Sequence, residues 1–210
     1  AAVSAVGQGT VAAAAVEASA RNPKTFGKNI LFSVLPETQA LYGFLIAILL
    51  LVGGGILGGL KAGIETSHGI LALGTALAVG FGAFSAIGQG MVAAQGVAIS
   101  SKKPKMFGKS IIFSILPETQ ALMGFLIAIL ILIASGLMGA AKAGIELSHA
   151  LIALGAGLAV GIAAISAIGQ GTVVTSSIST VAKNEKLFGK GLLFSALPQT
   201  QSLYGFLIAI

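Results

Sequence analysis

The chain alternates long apolar stretches with short basic segments, a pattern that predicts membrane-spanning helices joined by loops. The apolar run from Ile30 to Leu60 is long enough to cross a hydrocarbon core of about 30 Å. A second kind of stretch, from Gly69 to Ser100, is rich in glycine and alanine. Small residues let helix backbones approach closely, whereas Leu, Ile and Phe suit a lipid-facing surface. We therefore predict Gly/Ala-rich helices packed inside and bulkier helices outside.

The pattern recurs with a period of 81 residues. Gly7-Gln8-Gly9 returns as Gly88-Gln89-Gly90 and as Gly169-Gln170-Gly171. Each unit contains an inner helix, a basic loop, an outer helix and a second loop. The predicted fold is an all-α membrane protein of three tandem transmembrane helical hairpins, at residues 1–60, 61–141 and 142–210. By the period, the first and the last of the six helices are shorter than their counterparts, and we expect both to be truncated.

Composition supports a membrane protein. Hydrophobic residues make up 56% of the chain and charged residues 9%, and the mean hydropathy is +1.01. Soluble domains carry about a quarter charged residues, so the class is integral membrane and helical. The absence of cysteine excludes disulfides and thiolate sites. The net charge of +6 is concentrated in short loops, so it does not indicate a nucleic-acid partner.

The distribution of basic residues predicts the orientation in the cell membrane. The loops inside the three hairpins carry most of them: Arg21, Lys24, Lys28, Lys102, Lys103, Lys105, Lys109, Lys183, Lys186 and Lys190. The opposite loops carry only Lys61 with Glu65 and Lys142 with Glu146. Because positive loops remain on the cytoplasmic side, we predict a multi-pass protein with its basic loops in the cytoplasm. These lysines serve either as topology signals alone or also as a docking surface for a soluble partner.

A carboxylate occurs inside an apolar run, where an ionisable group is costly and marks a functional site. The segment Leu35-Pro36-Glu37-Thr38-Gln39 returns as Leu116-Pro117-Glu118-Thr119-Gln120, and in altered form as Leu197-Pro198-Gln199-Thr200-Gln201. Proline removes a backbone donor and breaks helical hydrogen bonding, so we expect a kink at Pro36. In a membrane helix a neighbouring helix can satisfy the carbonyl that proline leaves free.

Depth within the membrane can be compared by counting from the basic loop. Glu37 lies nine residues beyond Lys28, or roughly 13 Å at ~1.5 Å per residue. Gln8 lies thirteen residues before Arg21, or roughly 20 Å by the same measure. Both positions fall near the middle of the hydrocarbon core, so the carboxylate and the amide can share one ligand. With the hydroxyl and amide that follow the glutamate, the set is all oxygen and suits a hard cation. A single carboxylate favours a monovalent ion or a proton over calcium.

Two histidines follow serines at the start of Gly/Ala-rich helices, His68 after Ser67 and His149 after Ser148. Serine as an N-cap explains this local pattern, and no further metal ligands lie at useful spacing. We interpret Glu17, four residues before Arg21, as a solvated charge at the membrane interface.

The Gly-Gln-Gly inner helix, the basic loop with Asn22-Pro23 and the Pro-Glu-Thr-Gln outer helix together carry a resemblance. The chain resembles the rotor proteolipid, designated c or K, of V-type and archaeal A-type ATPases. The resemblance implies a homo-oligomeric ring in lipid that turns against a stator membrane protein. It also implies a coupling ion on each glutamate, released at a stator arginine, and central-stalk subunits docked on the basic loops. ATP chemistry would lie in other subunits, so the chain is not catalytic alone and needs no cofactor.

The resemblance also implies a ligand set. In sodium-dependent members of that family the pocket forms between two hairpins. Carried over by motif, the ligands of the ion at Glu118 are Gln89, Thr38, Gln39 and the Leu35 carbonyl, with Tyr42 orienting the carboxylate. Those of the ion at Glu37 are Gln8 and, from the preceding copy of the chain, Thr200, Gln201 and the Leu197 carbonyl, with Tyr204 orienting. The third site has Gln199 in place of glutamate, and we expect it to carry no ion.

Sodium is the first choice of coupling ion, because amide and hydroxyl oxygens can replace its hydration shell. A proton is the alternative, since a protonated carboxyl needs only one acceptor. A static channel-forming proteolipid is a further alternative, although a mid-membrane carboxylate beside lipid would not line a pore. A secondary transporter is disfavoured, because such proteins often contain inverted repeats whereas these repeats are parallel. A large closed ring would support the rotor, and a monomer or dimer would support the transporter.

Overall fold

The computed structural model describes residues 1–59, 64–138 and 144–210, and the predicted all-α fold is confirmed. Those ranges contain helices and turns but no strand. The α-helices are, in order, α1 (Ala2–Arg21), α2 (Phe26–Val34), α3 (Thr38–Gly53), α4 (Thr66–Gly82), α5 (Ser85–Lys102), α6 (Phe107–Ile115), α7 (Glu118–Ala134), α8 (Leu147–Ala163), α9 (Ser166–Lys183), α10 (Phe188–Ala196) and α11 (Gln199–Ala209). Short 3-10 helices lie at Pro23–Thr25, Leu35–Glu37, Pro104–Met106 and Glu185–Leu187.

Pairs of consecutive helices join end to end into longer segments, and these segments form the arms of three hairpins. Hairpin 1 comprises α1 to α3, hairpin 2 comprises α4 to α7, and hairpin 3 comprises α8 to α11. The Gly/Ala-rich helices pack against each other in chain order, α1 against α5, α5 against α9, and α4 against α8. The bulkier helices pack onto them. We call the contact between hairpins 1 and 2 junction 1–2, and that between hairpins 2 and 3 junction 2–3.

Glycines set the distance between the inner helices at both junctions. A Cβ added at Gly7 would overlap the carbonyl of Ala86, and one added at Gly88 would overlap the carbonyl of Ala167. The two contacts are related by the 81-residue period. The inner helices therefore pack backbone to backbone, as their small residues predict.

The first outer helix ends earlier than predicted, at Gly53 rather than near Leu60. Gly55 adopts a left-handed φ of 74°, and the N–H of Ile56 donates to the carbonyl of Leu51 at 2.9 Å. This is a glycine-dependent helix stop, which an apolar count cannot detect. Leu60 itself lies outside the described residues.

Each outer helix tightens locally at its proline, where the residue before the proline makes a hydrogen bond to the carbonyl three residues earlier. Pro36 lies in a 3-10 turn, and the Leu35 N–H donates to the carbonyl of Phe32, four residues before the proline. The carbonyl that Pro36 would otherwise leave free is thus satisfied within its own helix rather than by a neighbouring one. A neighbour does act one step away, where the Ser4 hydroxyl donates to the carbonyl of Pro36 itself.

The inner helices contain breaks that the sequence pattern did not predict. Helix α4 ends at Gly82 and α5 begins at Ser85, with the Phe84 N–H donating to the Phe81 carbonyl at 3.0 Å. Hairpin 3 repeats the break between Ala163 and Ser166. These breaks come just before the Gly-Gln-Gly motif and place a serine at the start of the following helix.

Within the described parts of the chain, four continuous helical segments are long and apolar enough to cross a membrane: Pro23–Gly53, Thr66–Lys102, Pro104–Ala134 and Leu147–Lys183. Of the six predicted membrane segments, the first and the last fall short by this measure. The outer helices expose large apolar side chains, including Leu41, Phe44 and Leu126. The chain is a multi-pass membrane protein.

The loop opposite the basic side shows a different helix start from the predicted one. The N-cap of α4 is Glu65 rather than Ser67, because its carboxylate accepts from the first turn and its N–H donates to His68 Nδ1 at 3.1 Å. The N-cap of α8 is Glu146 rather than Ser148. The lysines predicted for these loops, Lys61 and Lys142, lie outside the described residues.

The basic side carries ion pairs. The predicted interfacial charge Glu17 pairs with Arg21, and both side chains are exposed. Glu185 occupies the position of Pro23 and Pro104 in the other two loops. Its carboxylate bridges hairpins 2 and 3, with one oxygen 2.7 Å from Lys105 Nζ and the other 2.5 Å from Lys109 Nζ.

Candidate ion-binding site

Glu118 is the first residue of α7, directly after the Pro117 turn, and its half-buried carboxylate faces junction 1–2. Gln89 Nε2 donates to Glu118 Oε2 at 3.2 Å from the inner helix of the same hairpin. The Tyr42 hydroxyl donates to Glu118 Oε1 at 2.8 Å from hairpin 1. Each carboxylate oxygen therefore has one donor, and the two donors come from different hairpins.

The Tyr42 hydroxyl is held in place by aromatic packing. The Tyr42 ring stacks on Phe125, with ring centroids 5.1 Å apart and planes at 29°. Phe125 lies on the same helix as Glu118, so the tyrosine ring packs against the hairpin whose carboxylate its hydroxyl contacts. The tyrosine position that sequence reasoning assigned to the neighbouring hairpin's glutamate thus agrees with the geometry.

The other predicted ligands from hairpin 1 converge on the same place. Gln39 Nε2 donates to Gln89 Oε1 at 2.8 Å and to Ser85 Oγ at 3.2 Å. The Thr38 hydroxyl lies 3.0 Å from the Leu35 carbonyl and 3.2 Å from Gln39 Oε1. Gln39 and Gln89 are almost fully buried. The structure therefore brings together the predicted carboxylate, two amides, hydroxyl and backbone carbonyl.

Ser85 belongs to this cluster and was missed by sequence reasoning. It is fully buried at the start of α5. The available signal was its recurrence, because Ser4, Ser85 and Ser166 share the 81-residue period.

Only half of the predicted site at Glu37 lies within one chain. Gln8 Nε2 donates to Glu37 Oε2 at 3.1 Å, and the Glu37 side chain is exposed. The other predicted ligands lie on hairpin 3, at the opposite edge of the chain: Thr200, Gln201 and Leu197, together with Tyr204. The Tyr204 side chain is 60% exposed. The structure does not bring these residues to Glu37 of the same chain, in accord with their assignment to a different copy.

Junction 2–3 has the same framework without a carboxylate. Gln170 Nε2 donates to the Ser195 carbonyl at 2.9 Å and lies 3.4 Å from Gln199 Oε1. Gln120 Nε2 donates to Gln170 Oε1 at 2.9 Å. Met123 occupies the position that Tyr42 has in junction 1–2. Amides and backbone carbonyls satisfy one another here without any charged group.

The chemistry of the Glu118 cluster suits a small cation or a proton. Its acceptors are oxygens only, and it contains one carboxylate. No group of three or more His, Cys, Asp or Glu residues that could hold a metal occurs within residues 1–59, 64–138 and 144–210. A single negative charge balances one monovalent cation or one proton, so binding either of these would make the cluster neutral.

Comparison with known proteins identifies the family. The model for the C subunit of ATP synthase matches residues 1–50, 73–131 and 154–210, once in each hairpin. The chain belongs to the ATP synthase C-subunit family. It is 40% identical over 207 residues to the A-type ATP synthase subunit K of Methanocaldococcus jannaschii, covering 99% of this chain and 87% of that protein.

Two further relatives are shorter matches. The V-type sodium ATPase subunit K of Enterococcus hirae is 39% identical over 131 residues, covering 62% of this chain and 80% of that protein. The 16 kDa proteolipid of the V-type proton ATPase of Ovis aries is 28% identical over 152 residues, covering 71% of this chain and 94% of that protein. The predicted family is thereby confirmed, and this member of it is a membrane protein that is not catalytic by itself.

Proposed function

We propose that the chain is a rotor subunit of an A/V-type ATPase or ATP synthase and carries sodium on Glu37 and Glu118 to couple ion movement to rotation. The observation that carries the proposal is the Glu118 carboxylate, held between two hairpins by Tyr42 and Gln89. A charged glutamate within the membrane is costly, so it crosses lipid only when it is neutralised. Neutralisation by a bound ion thus decides whether the rotor turns.

The donor set favours sodium over the proton. Holding a protonated carboxyl requires one acceptor, whereas the hydrogen-bonded cluster that includes Glu118 contains four further oxygens, of which the Gln89 oxygen and the Leu35 carbonyl accept from Gln39 and Thr38 in the structure. The four are the Gln89 and Gln39 amide oxygens, the Thr38 hydroxyl and the Leu35 carbonyl. The relative from E. hirae is named as part of a sodium ATPase and that from O. aries as part of a proton ATPase. The proton therefore stands as the alternative, with the same rotor role.

The repeated contacts support a ring of identical copies. Phe32 packs edge to face on Phe107 with centroids 5.6 Å apart, and Phe113 packs in the same way on Phe188 at 5.4 Å. One further period of 81 residues leads from Phe113 to Phe194 and from Phe188 to Phe26 of the next copy. These two rings would therefore pack together between copies. Phe194 and Phe26 are 63% and 59% exposed in the single chain.

The glycine contacts extend in the same way. A Cβ at Gly90 would overlap Gly7, and one at Gly171 would approach the Gly88 Cα at 2.8 Å. One further period of 81 residues would place Gly169 against Gly9 of another copy. Both of these glycines have open space around them in the single chain. The two open edges are thus complementary, and joining them would complete the Glu37 site with Gln201 and Tyr204.

Cysteine cross-linking tests the joining of the two edges, because the chain contains no cysteine. The double variant Phe26→Cys/Phe194→Cys should form covalent multiples of the chain with a short bismaleimide, which spans positions whose side chains meet ring to ring. The matched variant Phe113→Cys/Phe188→Cys, whose rings lie 5.4 Å apart in the unchanged chain, should be linked within one chain and form no multiples. Closure of the matched pair with no multiples from the first pair would contradict the proposed edge contact.

The proposal includes the other partners of such a rotor. Each ion would be released at a stator arginine supplied by another membrane subunit. The basic loops would face the cytoplasm and dock the central-stalk subunits. Since two of three hairpins carry glutamate, each turn would move two-thirds as many ions as a ring with glutamate in every hairpin.

Carbodiimide labelling tests the choice of ion. The reagent modifies protonated carboxyls, so sodium bound at Glu118 should slow modification of Glu118 at fixed pH. Labelling of the isolated assembly is followed by peptide mass spectrometry at low and high sodium, with potassium at equal ionic strength as control. Equal rates in both salts would exclude sodium and leave the proton as the coupling ion.

A further inference from the structure

We infer that Ser85 is a positioning residue for the ion site at Glu118, holding the Gln39 amide so that its carbonyl oxygen faces the ligand. The inference rests on the proposed function, because it concerns the same site.

The contacts of Gln39 define its orientation. A side-chain amide has two N–H donors and one carbonyl acceptor. Gln39 Nε2 is 3.2 Å from Ser85 Oγ and 2.8 Å from Gln89 Oε1, so both N–H bonds have an acceptor. Its oxygen is left facing the Thr38 hydroxyl at 3.2 Å, on the side of the proposed ligands.

Ser85 differs from the other partner of that amide in one respect. Gln89 is itself a proposed ligand, but its nitrogen faces Glu118 in the structure, so its amide would have to turn for its oxygen to reach an ion, whereas Ser85 is not a proposed ligand. Among the described residues, Ser85 is therefore the one acceptor that can hold the Gln39 amide in the same orientation with and without the ion. A preorganised ligand loses less entropy on binding, which raises affinity.

The junction without a glutamate shows the opposite arrangement. The hydroxyl of Ser166, the counterpart of Ser85, has two acceptors within hydrogen-bond distance of its single proton, Gln120 Oε1 at 2.9 Å and the Ala163 carbonyl at 2.7 Å. The serine therefore engages the oxygen of Gln120 but the nitrogen of Gln39. The amide oxygen has a hydroxyl within reach in both junctions, but at Gln39 that hydroxyl belongs to Thr38, itself a proposed ligand, so the serine does not occupy the oxygen that would face an ion.

The first copy of this serine fits the same role between chains. Ser4 is buried and donates its hydroxyl proton to the Pro36 carbonyl, which leaves its oxygen as an acceptor. By the repeat, Ser4 faces Gln201 of the adjoining copy. Its relation to Gln201 would match that of Ser85 to Gln39.

The experiment uses the assembled complex and compares Ser85→Ala with Ser166→Ala. The readout is the sodium concentration that half-protects each glutamate from carbodiimide, with Glu37 as the reference within the same chain. Ser85→Ala should raise this concentration about 3- to 10-fold for Glu118, the loss expected for one hydrogen bond, and leave Glu37 unchanged. Ser166→Ala should change neither, and Ser85→Thr should restore protection in part.

Two readouts separate positioning from a general loss of packing. The rate of Glu118 labelling without sodium should be the same in Ser85→Ala and the unchanged chain. Ser85→Cys, which keeps the volume and provides a weak acceptor, should give the same direction of shift if the alanine variant fails to assemble. Equal half-protection of Glu118 in the unchanged and variant chains, or an equal shift at Glu37, would overturn the role of Ser85 while the sodium proposal stands. Absence of sodium protection in the unchanged chain would remove the sodium proposal and the inference together.

Discussion

Junctions 1–2 and 2–3 share one backbone framework and differ in the chemistry placed on it. Gly7 against Ala86 and Gly88 against Ala167 make the same close approach. The buried amide pairs are also the same, Gln39 with Gln89 at 2.8 Å and Gln120 with Gln170 at 2.9 Å. The differences are Glu118 against Gln199, and Tyr42 against Met123. Packing and ion chemistry are thus separable in this fold, and each can be changed without the other.

The largest effect is expected from Glu118→Gln, which gives junction 1–2 the amide of junction 2–3. Ion binding at that junction should be lost completely, because no other carboxylate lies in the cluster. The fold should persist, since junction 2–3 packs stably around a glutamine. Bound sodium per chain in the isolated assembly measures the result. An unchanged value would contradict the claim that the carboxylate makes junction 1–2 an ion site.

The reverse change, which gives junction 2–3 the carboxylate of junction 1–2, tests the same difference from the other side. Gln199→Glu places a carboxylate opposite Met123, with no hydroxyl to hold it, at a cost of several kcal/mol if charged in the membrane. It should therefore add a carbodiimide-reactive carboxyl with poor sodium protection. Combining it with Met123→Tyr should improve protection at least tenfold, whereas Met123→Tyr alone should leave Glu37 and Glu118 unaffected. Full protection in the single variant would show that the tyrosine is dispensable.

Tyr42→Phe removes the hydroxyl from junction 1–2 alone. A hydrogen bond to a charged group contributes about 1.5–3 kcal/mol, so sodium affinity at Glu118 should fall roughly 10- to 100-fold. Glu37 should be nearly unaffected. Tyr204→Phe is the matched control and should reverse the pattern through the adjoining copy. If Tyr42→Phe weakened Glu37 and not Glu118, the assignment across hairpins would be wrong.

The backbone approach predicts equal effects at the two junctions. Gly7→Ala and Gly88→Ala each force a methyl group into a carbonyl and should destabilise the packing by about 1–3 kcal/mol. Gly189→Ala, whose added methyl meets no neighbouring atom, is the control and should cause no loss of stability, since alanine favours the helix over glycine. Thermal stability of the isolated assembly measures all three. Unequal losses at the two junctions would show that their frameworks are not equivalent.

The smallest effect concerns the ion pairs on the basic side of junction 2–3. Hydrogen bonds from Lys105 and then Lys109 lower the pKa of Glu185 from 4.5 to about 2. A depressed pKa stabilises the fold above the unfolded value and loses that contribution as pH falls from about 4.5 through about 2. Because the group is exposed, Glu185→Gln should lower thermal stability only slightly at pH 7, and less at high salt. A salt-independent loss would contradict an ionic origin.

Register and depth predicted that the glutamate and the inner-helix glutamine of each hairpin lie at one level in the membrane. The placement of Tyr42 and Gln39 around Glu118 was implied by the resemblance to the rotor proteolipids, carried over by motif. Ser85 was not predicted, although it recurs as Ser4 and Ser166, because buried serines are common in helices and its partner is remote in sequence. The break before Ser85 has no proline to indicate it. The helix stop at Gly53 depends on a left-handed glycine within a run of glycines, where the sequence does not show which one is used.

The bridge formed by Glu185 was also missed, although the residue interrupts a repeated proline. A carboxylate among lysines has many possible partners on a flexible loop, and the sequence does not rank them. The actual pairing depends on how closely the glycine contacts bring hairpins 2 and 3 together. Charge pairs between hairpins are thus a consequence of helix packing that the charge pattern alone cannot provide.

The central claim is that one chain carries two ion sites, at Glu37 and Glu118, and none at Gln199. Equilibrium binding of radioactive sodium to the isolated assembly, normalised to the amount of chain, tests it most directly. The account predicts two sodium ions per chain in the unchanged protein and one in Glu118→Gln. Three ions per chain, or no saturable sodium binding, would contradict it.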